Sequence, residues 1–218
     1  RTETLLFFIS STLFFLLSNI FDISITDNNI LSIILFSFVV FFGLPHGALD
    51  TLIAKKFKIY KNIYEFFAFN LIYIFIAISV FLTWQFLPML SLTIFLLISG
   101  YHFSEDWSSV KIAKIKKLTL GFSIINLPIL FNKEAVERIY FYITESNYIY
   151  DFSSIQVIFG LLNILLLIYF IISNTLPINV FLQSLIIIFS SYFLNPLLFF
   201  LFYFCFFHSY KNFEEAKD

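Results

Sequence analysis

FSSIQVIFGLLNILLLIYFII, Phe152–Ile172, runs for 21 residues without one Asp, Glu, Lys or Arg. A helix rises 1.5 Å per residue, and about 20 apolar residues cross a hydrocarbon core of roughly 30 Å. The stretch therefore predicts a membrane-spanning helix, and the rest of the chain agrees with it. Of 218 residues, 60% are hydrophobic and only 12% charged, with a mean hydropathy of +0.93. A soluble domain of this length cannot hide so much apolar surface, which makes the bilayer its solvent.

Similar runs on either side are Leu5–Phe21, Ile30–Leu44, Phe66–Trp84, Leu87–Tyr101, Leu118–Phe131, Pro177–Leu194 and Pro196–Phe207. The expected fold is all-α, a polytopic membrane helix bundle of about eight spans forming a single integral-membrane domain over residues 1–218. Thr2–Asn19 imitates a signal sequence, but it lacks a small-residue cleavage site and reads as the first span. Asn132–Asp151, which mixes charges with Tyr and Ile, suits a helix lying in the interface. Asp27-Asn28-Asn29 and Asn195-Pro196 are turn signals. The second predicts a hairpin rather than one bent helix from Pro177 onward, which would be about 46 Å long and would overshoot the bilayer.

Charge supports this count. With eight crossings, Lys133 and Arg138 are the only basic residues on one side, so 11 of the 13 (13 − 2) share the other. The positive-inside rule puts that side and both termini in the cytoplasm, as in a multi-pass protein of the inner (cytoplasmic) membrane. A net charge of −1 offers no field to attract nucleic acid. A single cysteine, Cys205, excludes an intramolecular disulfide and a Cys-based zinc site, and reads as packing or lipid-facing. The 34 Phe fit an AT-rich coding sequence choosing among equivalent apolar residues, and do not by themselves point to a ligand.

The three histidines carry the chemical signal. His46 follows the second span, His102 the fourth, and His208 ends the eighth, so all three arrive at one membrane face. Each interrupts an apolar run, as in FFGLPHGALD at Phe41–Asp50. Each has polar company one helical turn on: Asp50 for His46, Glu105 and Asp106 for His102, Asn212 for His208. Neutral imidazole is the commonest metal ligand, and ligating histidines donate their other N–H to an oxygen. This pattern predicts a metal site toward the cytoplasmic side, with iron, zinc or copper open. Glu105 and Asp106 read as interfacial charges. No phosphate loop or dinucleotide fingerprint occurs, and Ser104, Ser108 and Ser209 form no nucleophilic triad with an evident oxyanion hole.

GLPHGALD (Gly43–Asp50), YHFSEDW (Tyr101–Trp107) and FFHSYKN (Phe206–Asn212), in this order among about eight spans, resemble the Brp/Blh family of β-carotene 15,15′-dioxygenases. The resemblance implies an iron-dependent membrane oxygenase that cleaves β-carotene at its central double bond with O₂ to give retinal, linked functionally to a microbial rhodopsin. It implies Fe²⁺ held by His46, His102 and His208. The family's last box usually reads His-x-x-x-His; here its second position is Asn212. Asn212, Asp50 and Glu105 are therefore carried as candidates for a fourth ligand or for hydrogen-bonding a ligand. The missing Met and the early stop at Asp218 read as a fragment, a trimmed chain or a diverged member, incomplete at both ends. Two alternatives stand beside the oxygenase: a non-catalytic homologue that binds carotenoid or retinal, and a membrane transporter or structural protein.

Overall fold

A computed structural model of the chain describes residues 2–21, 37, 54–55 and 57–211. The described residues are helical, with no strand among them. The helices are α1 (Thr2–Phe21), α2 (Ile63–Phe86), α3 (Pro88–Ser104), α4 (Lys114–Phe131), α5 (Lys133–Thr144), α6 (Ile149–Ile172), α7 (Ile178–Phe193) and α8 (Pro196–Phe202). A 3₁₀ turn, Glu105–Trp107, extends α3, and α8 runs on into a π-helical segment, Tyr203–Ser209. Seven of the eight expected runs thus form helices, and Ile30–Leu44 lies outside the described residues.

Length separates them. α2 and α6, each 24 residues, are long and apolar enough to cross a membrane. Helices α3 and α7, at 17 and 16 residues, reach only about 26 and 24 Å. Apart from Glu65 in its first turn, α2 carries no charge, and none of its residues is buried. Its start is capped locally: the Asn62 side chain accepts from the Glu65 amide, while Glu65 accepts from the Lys61 amide.

α4 is the centre of the bundle, burying Leu120, Ile124, Leu127 and Ile129 against its neighbours. Two glycines set how closely the helices approach. A Cβ on Gly121 would sit 2.4 Å from both the Gly100 carbonyl oxygen and the Ser104 amide of α3. A Cβ on Gly160 of α6 would sit 2.8 Å from the Asn126 carbonyl oxygen. Small residues at such crossings let backbones touch, and polar side chains join the same faces. Asn163 donates to the Thr119 carbonyl, and Gln156 to that of Ile125, so α4 and α6 run in opposite directions.

The short α5 carries charge on one face and buries Val136 and Tyr140 with the other, as expected of the Asn132–Asp151 segment. Burial pushes the Tyr140 phenol up to about 12, so it stays neutral. Lys133 lies at this end of the bundle and pairs with Glu137 at 3.5 Å. Lys116 and Lys117 lie at the other end, donating to the carbonyls of Thr175 and Ser108.

The chain reverses between α7 and α8. Leu194 is extended (φ −98°, ψ 150°), and the Asn195 side chain accepts from the Leu197 amide at 3.0 Å with Pro196 opening the new helix. Trp107 joins the two arms at one end. Its indole N–H donates to Gln183 early in α7, and its ring packs 5.8 Å from Phe207 late in the π segment. The last helical segment therefore returns to the end from which α7 departed. This is the hairpin the Asn-Pro pair predicts, and it brings His208 to the end of the bundle that carries His102.

Candidate metal centre

The last turn of α3 presents His102, and the 3₁₀ turn after it swings Asp106 inward. Gly121 allows this turn to lie directly on the backbone of α4. From the opposite side, the π-helical segment presents His208. The two Nε2 atoms are 3.2 Å apart, and the rings meet edge to face with centroids 4.9 Å apart.

Asp106 is 3% exposed and His208 1%, which makes their contact a buried pair. His208 Nδ1 lies 3.0 Å from both carboxylate oxygens, and the Tyr203 hydroxyl donates to Oδ2 at 2.5 Å. A carboxylate can only accept, so the proton of the imidazole contact sits on Nδ1. His208 Nε2 faces His102 Nε2 within hydrogen-bonding distance. Phe103 and Phe204 close around the ring, with centroids 5.2 and 5.7 Å away, and exclude water from the pair.

The π-helix explains why one carboxylate serves two groups. In an α-helix, residues five apart point in different directions; i→i+5 bonding stacks them on one face. Tyr203 and His208 are five apart, and both reach Asp106. Segments of this kind recur at functional sites, where they redirect a side chain.

The donor set fits a metal. Two imidazole nitrogens about 2.1 Å from one ion, at roughly 90–109° to each other, are about 3.0–3.4 Å apart. The His102–His208 separation lies within that window, and the carboxylate behind His208 is the usual outer partner of a ligating histidine. Among the described residues no group of three or more His, Cys, Asp or Glu is arranged to hold a metal ion. His46, Asp50 and Asn212 lie outside the described residues.

For the other sequence expectations the structure is specific. Glu105 is exposed. Asp106, read as an interfacial charge, is buried instead, because the 3₁₀ turn rotates it away from the surface and into the helix pair. It also partners His208 on a distant helix rather than its sequence neighbour His102. Cys205 is buried in the core rather than facing outward. Tyr203 escapes sequence reading altogether, since an i−5 spacing carries no signal until the helix is known to be π. Gln183 is likewise visible only after folding brings it to Trp107.

Residues 37–218 match the family described as Beta-carotene 15,15'-dioxygenase. The chain belongs to this family. It is also similar to a protein of the uncultured marine bacterium 66A03 named Beta-carotene 15,15'-dioxygenase. The two are 32% identical over 183 residues, covering 81% of this chain and 66% of the relative. The chain thus spans just under two thirds of that relative's length. No solved structure matches. The matched range contains all three histidines and Asp106.

Proposed function

We propose that the protein is an iron-dependent membrane oxygenase that cleaves β-carotene at its central double bond with O₂, giving two molecules of retinal. The observation that carries this reading is the facing pair of imidazole Nε2 atoms, one fixed in tautomer by a buried carboxylate, in a chain of this family. His46, His102 and His208 would hold Fe²⁺, with Asp50 and Asn212 beside it. When bound, iron supplies the redox chemistry that lets O₂ react with an alkene. Each alkene carbon ends as an aldehyde carbonyl carrying one oxygen atom of O₂, so no outside reductant is needed.

The rest is positioning by the chain. Asp106 accepts from His208 Nδ1–H and orients the ring so that Nε2 faces His102. Tyr203 fills the remaining capacity of the same carboxylate. Phe103 and Phe204 shield the His208 ring, which is buried, while His102 stays exposed at the mouth of the site. About eight spans, cytoplasmic termini and a site toward the cytoplasmic side complete the reading. It is supported by the two membrane-length helices and by the separation of Lys116 and Lys117 from Lys133. A product shared with a microbial rhodopsin would make that protein its functional partner.

The test uses membranes of a β-carotene-producing bacterial strain, with and without this chain. Retinal should appear as carotene falls, and the purified protein should contain iron. Unchanged carotene in membranes that demonstrably contain the protein would overturn the reading.

A further inference from the structure

Beside Asp106 a cleft of about 810 Å³ opens between α1 and α7. Its size is that of a small-molecule site. Phe189, which lines the cleft, packs against Phe15 of α1 with ring centroids 6.3 Å apart. From Asn179 to Phe189 it follows α7 for ten residues, about 15 Å, or half the thickness of a hydrocarbon core.

The two ends of the cleft differ chemically. Leu182, Leu185, Ile186 and Phe189 line the inner part, with Phe8 opposite. At the end nearer the metal centre a hydrogen-bonded chain forms the wall. The Trp107 indole N–H donates to Gln183 Oε1 at 2.8 Å, and Gln183 Nε2 donates to the Thr4 hydroxyl at 2.9 Å. Thr4 accepts in this chain and still has a hydroxyl proton to donate, and Glu3 and Lys211 line the cleft as well. Asp106 lines the same end, so the carboxylate that holds His208 is shared between the metal centre and the cleft.

We infer that this cleft binds the aldehyde product, a half-length polyene whose carbonyl oxygen accepts from Thr4 while its hydrocarbon lies along α7. The identity of the ligand rests on the oxygenase reading; the cleft, its polarity and its adjacency to Asp106 do not. A half-length chain matches the 15 Å run, and a hydrogen-bond acceptor at one end matches the hydroxyl donor in the wall. Sideways opening between two helices gives such a molecule a route to the lipid.

Trp107 in the wall provides the readout. The chain has two tryptophans, so Trp84→Phe leaves Trp107 as the only fluorophore of its kind. Retinal added to this protein in nanodiscs should quench Trp107 emission saturably. Ile186→Phe and the more exposed Leu182→Phe each narrow the cleft and should weaken binding at least tenfold, with unchanged emission before retinal is added. Thr4→Val should weaken retinal several-fold and leave binding of the corresponding hydrocarbon, which lacks the oxygen, unaltered. Non-saturable quenching, or displacement of retinal by oleate at equal concentration, would make the cleft a lipid groove and overturn the inference. Cleavage of β-carotene without saturable quenching overturns the cleft and leaves the oxygenase standing. Saturable quenching without cleavage does the reverse.

Discussion

Replacing Asp106 by Asn should weaken metal binding without unfolding the bundle, and the contacts set the size of the effect. The carboxylate receives two donors, His208 Nδ1–H at 3.0 Å and the Tyr203 hydroxyl at 2.5 Å. A hydrogen bond to a charged group contributes about 1.5–3 kcal/mol, against about 1 kcal/mol for a neutral one. Asn keeps one acceptor oxygen for His208 but loses the charge, and its NH₂ meets Tyr203. The net loss is about 1–2 kcal/mol, or roughly 5–30-fold, near the 10–100-fold usually seen when a ligand's outer partner is removed. Titration of the metal-free protein with Co²⁺ against a competing chelator measures it directly. Tyr203→Phe removes one donor and leaves the His208 contact intact, so its effect should be smaller than that of Asp106→Asn. Wild-type Co²⁺ affinity in Asp106→Asn, alongside its loss in His208→Ala, would refute the idea that the carboxylate conditions this imidazole.

The same geometry bears on other substitutions. His102→Ala and His208→Ala should each lose bound iron and retinal formation, and so should His46→Ala; iron content retained in all three would remove the metal reading. Gly121→Ala drives a methyl group into the α3 backbone beneath His102, so it should cost about 1–3 kcal/mol and reduce turnover, measured by thermal melting in detergent and by retinal yield. Asn163→Ala removes a buried hydrogen bond between α4 and α6, neither of which carries a histidine, and should lower stability by only about 0.6 kcal/mol with turnover kept. In a Cys205→Ser background, Lys111→Cys should react with a membrane-impermeant thiol reagent only from the cytoplasmic side, and Lys133→Cys only from the other; labelling from one side alone would break the topology.

Composition and run length were enough for the helices, because apolar residues without charge for 16 to 21 positions have few other stable solutions in a chain this greasy. The Asn195-Pro196 turn was legible for a local reason. Proline cannot continue the hydrogen bonding of α7, and asparagine caps the start of α8. Parity then sufficed to bring His102 and His208 to one end. The i+4 rule, however, assigned Asp106 to the wrong histidine. That rule describes neighbours on a single α-helix, and the contact is made between helices after a 3₁₀ turn. Tyr203 was beyond it for the same kind of reason, since only a π-helical turn aligns residues five apart. Which residues are helical, and which end each helix reaches, is fixed by hydrophobic length and chain breaks that any window of sequence displays. Which carboxylate meets which imidazole depends on sub-ångström helix approach at Gly121 and on the pitch of one irregular turn, and only the packed bundle decides that.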